Sequence, residues 1–505
     1  MKHTLKTIPY MMLLLTASIS SSALYAADTT VTPTKSVIFF LGDGMGPTTV
    51  TASRIYAVGE NGKLAMDRMK HAARIKTYSE DGQTTDSAPS MGAYMTGQKN
   101  KNEVIAMTTG TVAVEPEEGK LPNGKSLAKA INRCPEQGSS MVAGMPALSI
   151  LELAKKQGKA VGVVTTTELT HATPAATYAH ICHRDAQYDI ALQAVPKGKA
   201  YNPNLLDGIN VLMGGGLNHW TPYDAVSNPK GRLDGRDLLA EFKQQGYQTV
   251  LSQSDLAQTV NTQKIFGVFS TQSHLNFDLD RLKKNIETEP SLAAMTSKAI
   301  DALQAQSHGQ GYFLMVEGGR IDHALHANNA KRALQETKAF NDAIQTALDK
   351  VDLSNTLIVV TADHDHVMTF NGYAARTGQT TETNPGILGL SYDYNIAKEQ
   401  NAYSKVLADG QVHNPYRDVN GATGTTLVFG NGTGKRLDIR DSISNEQAFA
   451  DDYKQEVGVQ LAKSETHGGG DVMLFAEGKN SNLFKGTQEN TWVFEQLKRR
   501  LDSNG

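Results

Sequence analysis

Aspartate and histidine side chains at three places in the sequence could bind divalent metal ions. Asp322 and His326 are four positions apart near the start of a helical pattern, and this spacing places both on one helix face. Asp363 and His364 follow a strongly apolar run, and His467 precedes three glycines. Carboxylate oxygens and imidazole nitrogens are common zinc ligands. An Asp–His pair at this spacing can equally be a solvated surface couple, so one pair alone does not establish a metal site.

A fourth cluster strengthens the metal-site interpretation. Asp43 also follows an apolar run and is flanked by glycines, which allow close backbone approach. The alternative is that each polar group is satisfied locally at its own strand end, and four clusters at equivalent positions favour a shared site. Six side chains then offer enough nitrogen and oxygen ligands for two zinc-like ions: Asp43, Asp322, His326, Asp363, His364 and His467.

Ser87 is a candidate nucleophile. It lies two positions before Pro89, and proline suits the first turn of a helix. The N–H groups and dipole at a helix N-terminus would favour an alkoxide and an incoming anion. The sequence has no Gly-x-Ser-x-Gly elbow, so a metal ion is the expected activator of the hydroxyl. The alternative is that Ser87 or Asp86 only caps the helix.

The elements that must position these residues are short apolar runs alternating with helical patterns. Six runs predict strands, at residues 36–41, 160–165, 209–213, 312–316, 356–360 and 472–475, and a C-terminal helix is expected around 491–501. Such alternation predicts an α/β fold with a largely parallel central sheet and helices on both faces. Open α/β sheets bind ligands at the C-terminal ends of their strands, where the candidate residues lie.

Two segments stand apart from this pattern. Residues 1–26 have two lysines, a short apolar run and small residues ending at Ala26, which is typical of a secretory signal peptide. An N-terminal membrane anchor is the alternative, although the apolar run is short. Residues 372–464 are rich in Gly, Asn, Thr and Tyr, and we interpret them as an insertion within a catalytic domain of residues 27–505. The insertion would form a cap or a dimer contact, or simply an irregular surface excursion.

Composition excludes several classes of protein. Of 505 residues, 39% are hydrophobic and 20% charged, which suits a globular chain. The net charge of −3 offers no basic field for nucleic acid. Beyond the N-terminus no apolar run approaches the roughly 18 residues of a membrane helix, so no membrane partner is expected.

Export to the periplasm or outside the cell would permit a disulfide between Cys134 and Cys182. Two separate buried thiols fit the sequence equally well.

The order and spacing of the motifs resemble the alkaline phosphatases across most of the chain. The matching stretches are Gly42-Asp43-Gly44-Met45-Gly46, Thr85-Asp86-Ser87-Ala88, His171-Ala172-Thr173-Pro174, Val316-Glu317-Gly318-Gly319-Arg320-Ile321-Asp322-His323, Thr361-Ala362-Asp363-His364 and Glu465-Thr466-His467-Gly468-Gly469. Arg184 and His326 lie at the expected places between these stretches.

The resemblance implies a role for each matching residue. Ser87 would contact zinc and become phosphorylated, and Arg184 would clamp two phosphate oxygens, a task that suits guanidinium geometry. The implied metal sites are a zinc site of Asp322, His326 and His467, a second zinc site of Asp43, Asp363 and His364, and a third site, usually for magnesium, of Asp43, Thr173 and Glu317.

Two histidines depart from the pattern of many bacterial members, which carry Asp and Lys at the positions of His171 and His323. Because imidazole is a softer ligand than a carboxylate, we expect looser magnesium selectivity at the third site. His171 would ligate the third ion or hold a water bound to it, and His323 would face the phosphate pocket. The alternative gives both histidines hydrogen-bonding roles only.

The expected activity is hydrolysis of small phosphate monoesters through a phosphoserine, with two zinc ions and one magnesium ion. The resemblance also implies a homodimer. The alternatives are a phosphodiesterase, a phosphonate hydrolase or a sulfatase of the same superfamily, or a non-catalytic protein that binds zinc or phosphate.

Overall fold

A computed structural model describes residues 34–136, 143–270, 273–372, 376–391 and 415–501. The predicted signal peptide lies outside these residues. Among the helices described here, none is both long enough and apolar enough to cross a membrane. Cys134 and Cys182, for which the sequence left two alternatives open, form a disulfide.

The strands of the described residues build one large sheet and three small ones. In chain order they are β1 (Ser36–Gly42), β2 (His71–Lys76), β3 (Glu117–Lys120), β4 (Ser126–Ile131), β5 (Ala160–Glu168), β6 (Val211–Gly215), β7 (Gln248–Val250), β8 (Ile265–Val268), β9 (Tyr312–Gly318), β10 (Thr356–Thr361), β11 (Asp365–His366), β12 (Met368–Phe370), β13 (Leu427–Gly432), β14 (Val457–Gln460), β15 (His467–Gly468), β16 (Val472–Gly478) and β17 (Gly486–Glu489).

Within the described part of the chain, the large sheet has ten strands in the order β17-β2-β16-β10-β1-β9-β5-β6-β8-β7. Strand β16 runs antiparallel to both of its neighbours, β10 and β2, and the other neighbouring pairs are parallel. Every residue of β1, β5, β9 and β10 is buried, as expected for central strands covered on both faces. The predicted α/β fold with a largely parallel sheet is therefore confirmed.

The helices connect these strands. In chain order they are α1 (Pro47–Val58), α2 (Ser87–Thr96), α3 (Ile150–Lys156), α4 (Ala172–Tyr178), α5 (Gln187–Ala194), α6 (Leu238–Gln244), α7 (Gln253–Gln258), α8 (Asp278–Lys283), α9 (Leu292–Gln306), α10 (Arg320–His326), α11 (Ala330–Lys350), α12 (Asn445–Ala448) and α13 (Asn490–Leu501).

The helical pattern after residue 320 divides into two helices rather than forming the single element that the sequence suggested. α10 ends at His326, and Asn328 adopts a left-handed backbone with φ of 55°. The side chain of Asn329 then caps α11 by accepting a hydrogen bond from the Arg332 N–H. The break separates the short helix that carries Asp322 and His326 from the long helix that packs on the sheet.

The described part of the segment 372–464 contributes to a separate small sheet. In that sheet β13 pairs with β12 antiparallel and with β14 parallel. Val459 in β14 is exposed. These strands show that the segment is not wholly irregular, whereas its use as a cap or dimer contact stays a prediction.

Candidate active site

The candidate residues meet at one edge of the large sheet because of strand direction. Asp43 follows β1, Glu317 lies at the end of β9, and Asp363 follows β10, so these parallel strands carry their carboxylates to the same edge. The antiparallel β16 begins at this edge, which brings His467, five residues before it, to the same place. Gly44, with φ of 67°, is required here because a Cβ would overlap the His366 ring.

The first group of possible metal ligands consists of Asp322, His326 and His467, as predicted, together with His366. Asp322 Oδ1 lies 3.3 Å from His326 Nε2 and 3.5 Å from His467 Nε2. All of these atoms could face one ion. His366, which was not predicted from the sequence, has its Nε2 2.8 Å from Asp322 Oδ1.

His366 is better described as a buried cation than as a ligand. Its Nδ1 lies 2.6 Å from Glu465 Oε2 and its Nε2 lies 2.8 Å from Asp322 Oδ1. Both partners are carboxylates, so both ring nitrogens donate. Burial opposes the charge, but the hydrogen bonds to Asp322 and Glu465 outweigh it and raise the pKa of His366 to about 10. His366 therefore orients Asp322 without offering a lone pair of its own.

The second and third groups share Asp43. Asp43, Asp363 and His364 form the second group, and His364 Nε2 lies 3.3 Å from Asp43 Oδ1 and 3.5 Å from Asp363 Oδ2. The third group is Asp43, His171 and Glu317. Thr173 stands beside it, donating to Asp43 Oδ2 at 3.4 Å. The structure thus brings together all of the metal-site residues predicted from the sequence.

Backbone contacts orient three imidazole rings so that the Nε2 atom of each faces the site. The Nδ1 atoms of His326, His364 and His467 face the backbone carbonyls of Glu465, Asp365 and Thr85 at 2.7, 3.1 and 2.8 Å. A carbonyl only accepts, so each ring donates Nδ1–H, and in its neutral form each directs an Nε2 lone pair inward. The Nε2 atoms of His326 and His467 are only 3.1 Å apart. When both rings are neutral these atoms present lone pairs that repel each other, and a shared cation would remove the conflict.

The carboxylates also fit bound cations. Asp363 Oδ2 and Glu317 Oε1 are buried without a hydrogen-bond partner among the described residues. Burial, followed by the charge of Asp322, raises the pKa of Asp43 to about 7. Burial and the charge of Asp43 raise the pKa of Asp363 to about 7 and that of Glu317 well above its usual range. Ionising all three in one buried space is costly, and divalent ions would offset that cost.

These raised pKa values predict a pH-dependent effect of metal removal. The metal-free fold gains stability from protonated Asp43 and Asp363 near pH 4, and that stability is lost as pH rises through about 7. Protons also compete with metals at low pH. We therefore expect a chelator to lower Tm more at pH 9 than at pH 5. Calorimetry with and without chelator measures the difference, and an equal drop at both values would contradict the shared carboxylate site.

Ser87 occupies the first position of α2 and is buried at the centre of the site. Its Oγ lies 3.2 Å from His364 Nε2 and 3.4 Å from Asp43 Oδ1. The Asp86 side chain does not cap the helix, so the capping alternative for Asp86 is wrong. The first N–H groups of α2 therefore remain available to an anion at Ser87.

Arg184 is aimed by two side chains. Asp86 Oδ1 accepts from its Nη1, and His171 Nε2 accepts from its Nη2 at 3.0 Å. Burial and the nearby Arg184 charge lower the pKa of His171 well below its usual range, so the ring is neutral. The guanidinium is thus held by the residue that directly precedes Ser87. From the sequence, Asp86 was considered only as a possible helix cap, and its pairing with Arg184 was not predicted.

His323 lies in a cluster of neutral histidines next to this arginine. Its ring centroid is 5.3 Å from that of His171 and 4.3 Å from that of His274, which the sequence analysis did not single out. Arg320 Nη1 donates to His323 Nδ1 at 3.1 Å, so the proton of the neutral ring is on Nε2. Burial lowers the pKa of His323 to about 3. His323 therefore brings hydrogen-bonding capacity but no charge to the site.

Comparison with known proteins gives a consistent result. The family model for alkaline phosphatase matches residues 34–502. The tissue-nonspecific isozyme of alkaline phosphatase from Gallus gallus is 35% identical over 489 residues, which cover 91% of this chain and 83% of that protein. The alkaline phosphatase of Gadus morhua is 33% identical, with coverage of 91% and 90%. The crystal structure of Thermus thermophilus alkaline phosphatase superposes with a TM-score of 0.62 at 25% identity, covering 94% of this chain and 92% of that one. The chain therefore belongs to the alkaline phosphatase family of phosphoric monoester hydrolases.

Proposed function

We propose that the chain hydrolyses small phosphate monoesters through a phosphoserine formed at Ser87. The observation that carries this proposal is the position of Ser87 Oγ, at the N-terminus of α2 and 3.2 Å from His364 Nε2. The buried charge of Arg184 is aimed by the residue that directly precedes Ser87. A nucleophile, an anion clamp and cation-binding groups are thus adjacent, as phosphoryl transfer requires.

The chain's own residues define the two chemical steps. Ser87 Oγ attacks phosphorus, the Oγ–P bond forms, the ester P–O bond breaks, and the alcohol leaves with a proton. Water then attacks the phosphoserine, inorganic phosphate is released, and the Ser87 hydroxyl regains its proton. Arg184 and the N–H groups of α2 hold the non-bridging oxygens in both steps. Two ions in the first and second ligand groups would supply the Lewis acidity that lowers the pKa of an attacking hydroxyl and stabilises a leaving oxygen.

The donor sets support zinc in the first two groups and magnesium in the third. Neutral imidazoles with carboxylates suit zinc, and the first two groups combine these donors. In the third group Asp43, Thr173 and Glu317 offer hard oxygens, which magnesium prefers. Thr165 and Thr167 orient the Glu317 carboxylate by donating to its Oε2.

We propose that His171 serves the third site through a hydrogen bond rather than as a ligand. Its Nε2 accepts from Arg184, so the neutral ring carries its proton on Nδ1, and this buried atom has no hydrogen-bond partner in the described part of the chain. A water bound to the third ion could accept that proton. The aspartate variant His171→Asp should gain magnesium affinity, because a carboxylate is a harder ligand. Metal analysis at limiting magnesium tests this, and unchanged occupancy would contradict it.

The substrate class is tested by comparing nitrophenyl phosphate, bis-nitrophenyl phosphate and nitrophenyl sulfate. The Arg184 fork suits a dianionic monoester, since a diester has fewer free oxygens for it. We therefore expect kcat/KM to be highest for the monoester. A higher kcat/KM for the diester or the sulfate would overturn the assignment, and binding of phosphate without hydrolysis of any substrate would favour a non-catalytic protein.

Export and dimerisation are further proposals. The N-terminal residue pattern supports cleavage near Ala26 and a periplasmic or secreted enzyme. N-terminal sequencing of the mature protein tests this, and an intact N-terminus would contradict it.

We also propose a homodimer, with the segment 372–464 at the contact or as a cap. Gel filtration showing a monomer at working concentration would contradict the dimer.

A further inference from the structure

One short segment forms hydrogen bonds with the chain before Ser87 and with the chain before Arg184. We call residues 100–105 the brace segment. At its start, the Asn100 carbonyl accepts from the Glu80 N–H at 2.8 Å. At its end, Ile105 and Ile181 exchange backbone hydrogen bonds of 2.9 and 3.1 Å. The brace segment therefore joins the chain that leads into Ser87 to the chain that leads into Arg184.

Asn102 forms the hydrogen bonds between the brace segment and the chain just before Ser87. Its Oδ1 accepts from the backbone N–H of Asp86 at 3.1 Å, and its own N–H donates to Asp81 Oδ1 at 2.9 Å. Asp86 directly precedes Ser87 and has the extended backbone of an N-cap residue, with φ of −86°. The Asn102 side chain thus helps to fix the Thr85–Asp86 peptide, one residue before Ser87.

Glu103 links the brace segment to both Asp86 and Arg184 through its backbone. Its N–H donates to Asp86 Oδ2 at 2.8 Å, and its carbonyl accepts from the Arg184 N–H at 2.8 Å. Glu103 adopts a left-handed backbone with φ of 74°, which is unfavourable for a residue with a side chain. Such a conformation persists where surrounding contacts impose it, and here both flanking contacts lead to Asp86 and Arg184.

We propose that Asn102 is a positioning residue that sets the separation of Ser87 and Arg184, an inference that rests on the proposed roles of those two residues. Without the Asn102 amide, the Asp86 N–H loses its partner, and the Thr85–Asp86 peptide is then held through the Thr85 carbonyl, which accepts from His467 Nδ1, but no longer through its N–H. A tilt of this peptide displaces the Asp86 carboxylate, which orients Arg184. One lost hydrogen bond thus disturbs both the nucleophile and the clamp.

The test compares Asn102→Ala and Asn102→Asp in the full chain with its metals bound. A misplacement of about 1 Å can cost about 100-fold in rate, so we expect Asn102→Ala to lower kcat/KM by roughly 10- to 100-fold. It should also weaken inhibition by inorganic phosphate. Asn102→Asp keeps an acceptor oxygen and should recover most of kcat. The control is Asn355→Ala, which removes side-chain hydrogen bonds to Asp352 and Thr356 at the opposite edge of the sheet.

A double-mutant cycle separates positioning from general destabilisation. In the Arg184→Ala background, Asn102→Ala should cost several-fold less than in the wild type, because the clamp that it positions is already absent. Equal costs in both backgrounds, or wild-type kcat/KM for Asn102→Ala, would overturn the positioning role. Phosphate labelling of the wild type separates this outcome from failure of the proposed function: label on Ser87 leaves that function standing, and label elsewhere removes the basis of both.

Discussion

Replacing Ser87 with alanine should lower kcat by roughly 1,000-fold or more while the metal content stays unchanged. In the proposed mechanism the serine supplies the attacking oxygen, and the possible metal ligands are the carboxylates and imidazoles around it. Residual turnover would come from direct attack of water on the substrate. Steady-state kinetics and metal analysis of the purified variant measure the two effects separately.

Ser53→Ala is a matched control for this variant. Ser53 is also a buried helical serine, and its Oγ has no hydrogen-bond partner among the described residues. The control should retain wild-type kcat within roughly twofold, because Ser53 belongs to none of the ligand groups of the site and its hydroxyl has no hydrogen bond to lose among the described residues. A Ser87→Ala enzyme with more than a tenth of wild-type kcat would contradict the nucleophile assignment.

Replacing Arg184 with alanine should weaken phosphate binding by about 2–4 kcal/mol, which corresponds to roughly 30- to 1,000-fold in Ki. The variant loses a buried charge-assisted contact and leaves the Asp86 carboxylate unpaired near the incoming anion. Arg184→Lys keeps the charge without the planar fork, so its loss should be intermediate. Competitive inhibition by inorganic phosphate is the measurement.

Arg74→Ala provides the control for the arginine variants. Arg74 pairs with Asp471 on the surface, where its side chain is 62% exposed, and such a pair contributes about 0–1 kcal/mol to stability. Its removal should leave the Ki for phosphate unchanged. An unaltered Ki in Arg184→Ala would refute the clamp role.

Much of the fold and the site could be predicted because the relevant patterns are local in sequence. The apolar runs at 36–41 and 356–360 became β1 and β10, each one residue longer at its C-terminal end. The polar residues directly after those strands then had to lie at one sheet edge. Parallel strand direction, rather than any long-range information, places Asp43 beside Asp363.

The residues that were missed depend on contacts between distant parts of the chain. His366 binds Asp322 across 44 positions, and Arg184 binds Asp86 across 98. The alternating Asp363-His364-Asp365-His366 does contain a usable pattern, since side chains two apart in extended chain share a face. No comparable pattern marks Asn102, whose importance depends on where two loops meet.

Covalent labelling tests the central claim most directly. Enzyme mixed with ³²P-labelled phosphate or monoester is quenched in acid, digested and analysed by mass spectrometry to locate the phosphoryl group. The account predicts label on the peptide that contains Ser87, and none on that peptide in Ser87→Ala. Label on a different residue, or an actively hydrolysing enzyme that never acquires label, would contradict a phosphoserine mechanism at Ser87.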